Sequence, residues 1–417
     1  MSYRYLIEKQ KDIFNVLLIF FFIYSISFTF LPTATTKIIV VLLIIYAIFH
    51  LRMYLRHISF LQFTIPILSL LIPYTIITFL NGIKDDTFIR LLLFITLQSC
   101  LGSYLITIYL QREHTYIFKL IAYATLLQSL FIILSFIVVP FREFLASVLP
   151  PLDDAHLNDL YYFRINGLSD PSGAGATLSV VQAFGVLIFM YLSRITPRKQ
   201  MMYFIFSIII IVANTVVGRT GMYFGIIFIS IYGILYVFSS SIANLIKIGI
   251  AIFFIPIFLY FFIPEDIKNI FEELVIPWML DKDHSGQSGK TIDVLKEMWL
   301  LPQGIFFWIG EGGWFKEGQH ENYIPSDVGY VRLLFAIGFL GVVIFYSTYL
   351  KLFYTLKILY PNKNDLLFLF LIFIFCIILE TKEPFFLKDS VTRVLFLIYF
   401  SYRINFIRQK CNYKIYK

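Results

Sequence analysis

The residues best equipped for chemistry in this chain are three arginines and one histidine. Arg164 stands in Arg-Ile-Asn-Gly-Leu-Ser-Asp-Pro-Ser-Gly-Ala-Gly, Arg219 in Gly-Arg-Thr-Gly, and Arg332 about one turn inside an apolar run. A guanidinium stays charged at any working pH and grips phosphate oxygens through two parallel N–H groups. Near or in a bilayer it is costly unless it is paired, lines a cavity or snorkels to the interface. His320 is the only histidine between Gly310 and Gly341, and Glu317, Glu321, Asn322, Tyr323 and Asp327 surround it in sequence. Its near-neutral reference pKa suits either a general base or a hydrogen-bond donor, whereas the carboxylates would start as bases. The plain alternatives are interfacial snorkelling for each arginine and a solvated loop for the histidine.

The elements that must hold these groups follow from composition. Hydrophobic residues make up 59% of the 417, only 14% are charged, and mean hydropathy is +0.81. No soluble domain of this size hides so much apolar surface. Apolar runs near 20 residues recur along the chain, each long enough to cross a hydrocarbon core of about 30 Å. They are continuous, not alternating, which predicts helices and not a barrel. The expectation is an all-α polytopic transmembrane bundle forming one integral membrane domain over 1–417. Its twelve spans lie near 13–31, 37–51, 58–80, 91–110, 116–139, 174–193, 201–217, 221–238, 245–263, 329–350, 365–379 and 391–402. The first is long for a signal segment and lacks a cleavage site, so it is read as retained. Cys100, Cys376 and Cys411 are far apart in sequence and indicate neither a disulfide framework nor a metal cluster.

Charge sets the expected orientation. With the N-terminus inside, the inner connections and tail carry 19 of the 34 basic residues and four of the 26 acidic ones, a balance of +15. The outer side keeps 15 basic and 22 acidic residues, a balance of −7, and the two give the net +8. The positive-inside rule therefore places both termini in the cytoplasm. The basic balance reflects membrane orientation and does not indicate nucleic-acid binding. Two outer loops are long, 140–173 and 264–328, and the second has its own apolar patches, including Val294–Trp308. Inner loops are short and no nucleotide-binding loop occurs, so any chemistry lies outside and uses an already activated substrate. Arg90, Arg142 and Arg393 are also outer-facing but sit at ordinary span ends or loop starts. Tyr161, Tyr162, Trp299, Trp308 and Trp314 read as interfacial belt residues.

Order and spacing of these motifs resemble the Wzy-type O-antigen and capsule repeat-unit polymerases, and more distantly the O-antigen ligases. The resemblance rests on the Arg164 segment before a small-residue span, the Gly218–Gly221 turn, and a large second-half outer loop. That loop ends in Gly-rich sequence, His320, Asn322 and Asp327-Val328-Gly329 before a helix with Gly338 and Gly341. Where the family pattern has Ser-Gly-Arg in the large loop, this chain has Ser288-Gly289-Lys290, which keeps the charge and loses the fork.

The resemblance implies a GT-C-like glycosyltransferase of the bacterial inner membrane with its site on the external face. It implies transfer of a growing glycan from undecaprenyl diphosphate to the sugar end of another lipid-linked repeat unit. Arg164, Arg219, Arg332, Asn322, Tyr323 and Lys290 would bind the diphosphate or substrate, the three arginines around one cavity. His320, Glu321 or Asp327 would be catalytic, with no cofactor and no metal. Partners would be the lipid-linked oligosaccharide, membrane lipid and a chain-length regulator, with no nucleic acid. A ligase of the same fold, or a flippase of lipid-linked sugars, are the competing readings; the interrupted runs at Pro66, Pro73 and Pro256 suit the last.

Overall fold

A segment in hydrocarbon must satisfy its own backbone, and this chain does so with helices. The computed structural model describes residues 3–50, 59–150, 165–169, 175–237, 296–316 and 321–415. Among them there are helices and one isolated antiparallel bridge, Phe315 with Asn322, and no strand longer than that. Six helices are long and apolar enough to cross a membrane, and Thr35–Phe49 is a shorter apolar one. The expected spans within the described residues overlap helices, 58–80 falling on two and 91–110 on two with a π-turn between them, while 245–263 lies outside the described residues. The first boundary differs from expectation. Its helix, α1, runs Tyr3–Tyr24 and stops where Ser25 turns left-handed at φ 50°, not at residue 31.

The chain divides into two units, one holding Met1–Ile39 with Thr115–Ser288 and the other Val40–His114 with Gly289–Lys417. In the first, α9 (Ala176–Ile195) is buried from Leu178 to Ser193 and packs against α10 (Gln200–Asn214) and α11 (Arg219–Val237). A helix apolar on every side belongs inside. Among its buried polar residues, Gln182 is satisfied by Ser129 Oγ at 2.8 Å and Tyr24 Oη at 3.2 Å.

In the second unit, α3 (Leu61–Ser69) and α4 (Leu71–Leu80) form one broken span. Pro73 has no N–H for the carbonyl of Ser69, so the break falls at Leu70. Then come α5 (Thr87–Leu93), a wide π-turn over Phe94–Leu101 and α6 (Gly102–Leu110). A short helix, α12 (Phe306–Ile309), precedes α13 (Gly329–Leu359), which is broken at Gly338 (φ 65°, ψ 177°). The unit ends with α14 (Lys363–Glu380) and α15 (Asp389–Ile415), both longer than the spans expected there.

Candidate functional site at the head of α13

Sequence places Arg332 one turn into α13, and packing explains why that head is built from small and polar residues. Gly329 lies against a buried acid: a methyl group there would sit 2.4 Å from Glu380 Oε2. Glu380 is fully buried and accepts from Tyr346 Oη at 2.8 Å and from the Phe386 amide at 2.6 Å. It thereby ties the turn after α14 to Tyr346 in the second half of α13, while Gly329 packs on it at the helix head.

Arg332 is itself 8% exposed. Its guanidinium carbon lies 4.0 Å above the Trp314 ring and 5.2 Å from that of Phe315. Nη2 donates to the Trp314 carbonyl at 3.4 Å, and Nε is buried with no hydrogen-bond partner. Among the described residues it forms no ion pair. The carboxylates of Asp327, Glu383 and Asp85 act on it from farther away. Cation–π contact with aromatic faces offsets part of the desolvation of such a buried cation.

The cover over Arg332 is held by Asp85. One of its oxygens accepts from the amides of Trp314 and Phe315 at 3.2 and 2.7 Å, the other from the Thr87 amide at 2.9 Å. Asn81 and Thr78 bond the carbonyls of Glu311 and Gly312 at 2.7 and 3.2 Å. Chain 314–316 then runs beside 321–323: Tyr323 N bonds Trp314 O at 3.1 Å and Lys316 N bonds Glu321 O at 3.0 Å.

His320 lies outside the described residues, as do Glu317, Arg164 and Lys290. Glu321 is exposed and paired with Lys316 at 2.8 Å. The Lys316 hydrogen bond and charge hold its carboxyl below the usual range, which weakens it as a base. Asn322 Nδ2 donates to Asp327 Oδ1 at 2.7 Å and to Ser326 O at 3.1 Å, closing the turn into α13. Tyr323 donates to Glu311 Oε2 at 3.1 Å, and burial, followed by that carboxylate, raises its phenol above the ordinary value. Glu321, Asn322, Tyr323, Asp327 and Arg332 thus come together in the second unit.

Arg219 belongs to the first unit, at the head of α11. The glycines around it serve close packing. A methyl group at Gly221 would meet Ser179 O at 1.9 Å, and one at Gly218 would meet Ser179 Oγ at 2.7 Å. The described end of the Arg164 segment runs beside the same turn, since Ile165 N bonds Val216 O at 3.2 Å. Gln128 Nε2 donates to the next carbonyl, that of Asn166, at 2.6 Å.

Two sequence expectations are corrected. Trp314 is not an interfacial belt residue: it is 3% exposed and covers Arg332, whereas Trp299 and Trp308 do remain exposed. Arg393 is not an ordinary span-end arginine: its side chain is 1% exposed and paired with Asp389 at 3.0 Å. Asp85 and Glu380 escaped the sequence reading. Glu380 had a usable signal, a lone acid closing an apolar run. Asp85 sits in Lys-Asp-Asp-Thr, which reads as any polar turn. No family model, curated protein or solved structure matches this chain.

Proposed function

We propose that this membrane protein is a GT-C-like, twelve-span glycosyltransferase that extends a glycan carried on undecaprenyl diphosphate, in the manner of the repeat-unit polymerases its motifs resemble. The supporting observation is Arg332: a guanidinium inside the head of a membrane-length helix, with no ion pair and an unpartnered nitrogen among the described residues. A charge so placed is compensated well by an anion that arrives at the membrane surface, and a lipid diphosphate is such an anion.

In the proposed reaction, an acceptor sugar hydroxyl attacks the anomeric carbon of the donor glycan. The bond from that carbon to the diphosphate oxygen breaks, and the diphosphate leaves with the electron pair. The hydroxyl proton passes to a base, His320 by preference, with Asp327 next. Arg332 would stabilise the charge that grows on the leaving group, where fixed cations act strongly because water is scarce. Arg164, Arg219 and Lys290 are proposed as further anion contacts, and Asn322 and Tyr323 as groups that shape the loop around the substrate. The diphosphate ester is itself the activated donor, so no nucleotide and no metal are needed. In this reading the site faces outward and both termini face the cytoplasm, the orientation that the +15 and −7 charge balances favour.

Purified protein in liposomes with one lipid-linked repeat unit tests the reading. A ladder of lengthening products supports it. Transfer of a single glycan to a lipid acceptor without a ladder identifies a ligase, and movement across the bilayer without new bonds identifies a flippase.

A further inference from the structure

The external loop contains thirteen consecutive uncharged residues, Met298 to Gly310, between Glu297 and Glu311. Their register along α13 is explicit. Entering the segment, Met298 O accepts from Ser326 Oγ at 2.8 Å, and Trp299 stacks near Tyr330 at 6.4 Å. At its far end, Phe307 and Trp308 pack on Phe339 at 5.7 and 5.6 Å. Gly310 lies against Gly338, where added methyl groups would meet backbone atoms at 2.4–2.9 Å. The chain then climbs back: Glu311 and Gly312 donate to Phe335 O at 2.6 and 3.3 Å, and Trp314 O reaches Arg332. The segment therefore descends along α13 to Phe339 and returns.

Phe339 lies ten residues beyond Gly329, about 15 Å along a helix at 1.5 Å per residue. That is half of a hydrocarbon core of about 30 Å. Apart from Gln303, the exposed side chains of the segment are apolar, among them Leu301 at 67%, Ile305 at 62% and Trp308 at 49%, and so are Leu340 at 56% and Val343 at 48% on α13. In water such a continuous patch is a liability. At its far end the backbone also meets the demand that lipid makes: all seven amides from Phe306 to Gly312 are bonded, to Gln303, Gly304, Ile305, Phe306 and Phe335 carbonyls.

We infer that Trp299–Gly310 is a re-entrant hairpin whose exposed face contacts bilayer hydrocarbon, seated beside α13 below Arg332. Its occupant is lipid acyl chain, because the face is continuous with the lipid-facing side of a membrane-length helix. The inference rests on the membrane reading alone and needs no glycan chemistry, so either can fail without the other.

Nitroxide labels on Leu301→Cys and Ile305→Cys, in a Cys100→Ala, Cys376→Ala, Cys411→Ala background in phosphatidylcholine liposomes, test it. Leu340→Cys and Lys316→Cys are the references. Oxygen accessibility well above that of a water-soluble nickel chelate, as at Leu340, is expected at 301 and 305. Nickel accessibility equal to that at Lys316 overturns the hairpin. If the cysteine-free protein does not fold, a Trp278→Phe, Trp299→Phe, Trp314→Phe protein keeps Trp308 as its one tryptophan. Quenching of Trp308 by phosphatidylcholine brominated near mid-chain supports the hairpin, and quenching only by soluble iodide overturns it.

Discussion

Arg332 and Trp314 hold each other in place. The guanidinium lies 4.0 Å from the indole ring centre while its Nη2 donates to the carbonyl of the same residue at 3.4 Å. The loop residue thus shields the charge and orients it, leaving Nε without a protein partner. Four predictions follow from this site and its supports.

Arg332→Ala should lower polymer formation by about 10- to 100-fold at matched membrane abundance, the loss of one charge-assisted contact at about 1.5–3 kcal/mol. Arg332→Lys should recover little, because an ammonium neither stacks on Trp314 in the same way nor offers a fork. A lysine variant with full activity would mean that a point charge suffices there.

Asp85 should matter for the loop and not for the overall helical content. Asp85→Ala leaves the Trp314 and Phe315 amides without their acceptor, at about 1–3 kcal/mol for each unsatisfied buried group. Hydrogen exchange of those two amides should accelerate sharply while exchange in α9 stays slow. Unchanged protection at 314 and 315 would remove Asp85 from its role.

Gly338→Ala should lower the melting temperature in detergent much more than Gly304→Ala. Both glycines have positive φ, 65° and 59°, so both substitutions carry a backbone cost of about 1 kcal/mol or more. Only at Gly338 would the methyl group also collide with backbone, at 2.4–2.5 Å from Ile309 and Gly310, whereas Gly304 faces open space. Equal shifts would show that the contact between the hairpin and the break in α13 relaxes freely.

The pH profile separates the two bases. Lys316 keeps the Glu321 carboxyl ionised to lower pH than usual, so Glu321 is already charged across the neutral range and cannot produce a limb there. A rate that falls as pH drops through about 6–7 is the limb expected of His320, which must lose its proton to act as base. His320→Gln should abolish that limb and reduce the rate by about 10²–10⁴. Glu321→Gln should leave the limb where it is; if it removes the limb, the assignment reverses.

The sequence alone determined that the chain is helical, with runs long and apolar enough to cross a membrane, because a continuous apolar run of membrane length is a local property. It also located Arg332 at a helix head and a tight connection between two helices at Gly218, although Arg219 to Gly221 already belong to α11, since both follow from residues adjacent in the chain. Tertiary structure decided what surrounds Arg332. The Asp85 carboxylate meets Trp314 across 229 positions, Thr78 meets Gly312 across 234, and no periodicity encodes either pairing. Trp314 has the sequence context of a belt residue and becomes a buried cover only because Asp85 anchors its amide. Glu380 likewise gains its role from Gly329, a residue too small to announce a contact until the backbone of another helix comes against it. Local pattern sets which segments are helices, and hydrogen bonds between distant segments set which polar groups end up sharing a site.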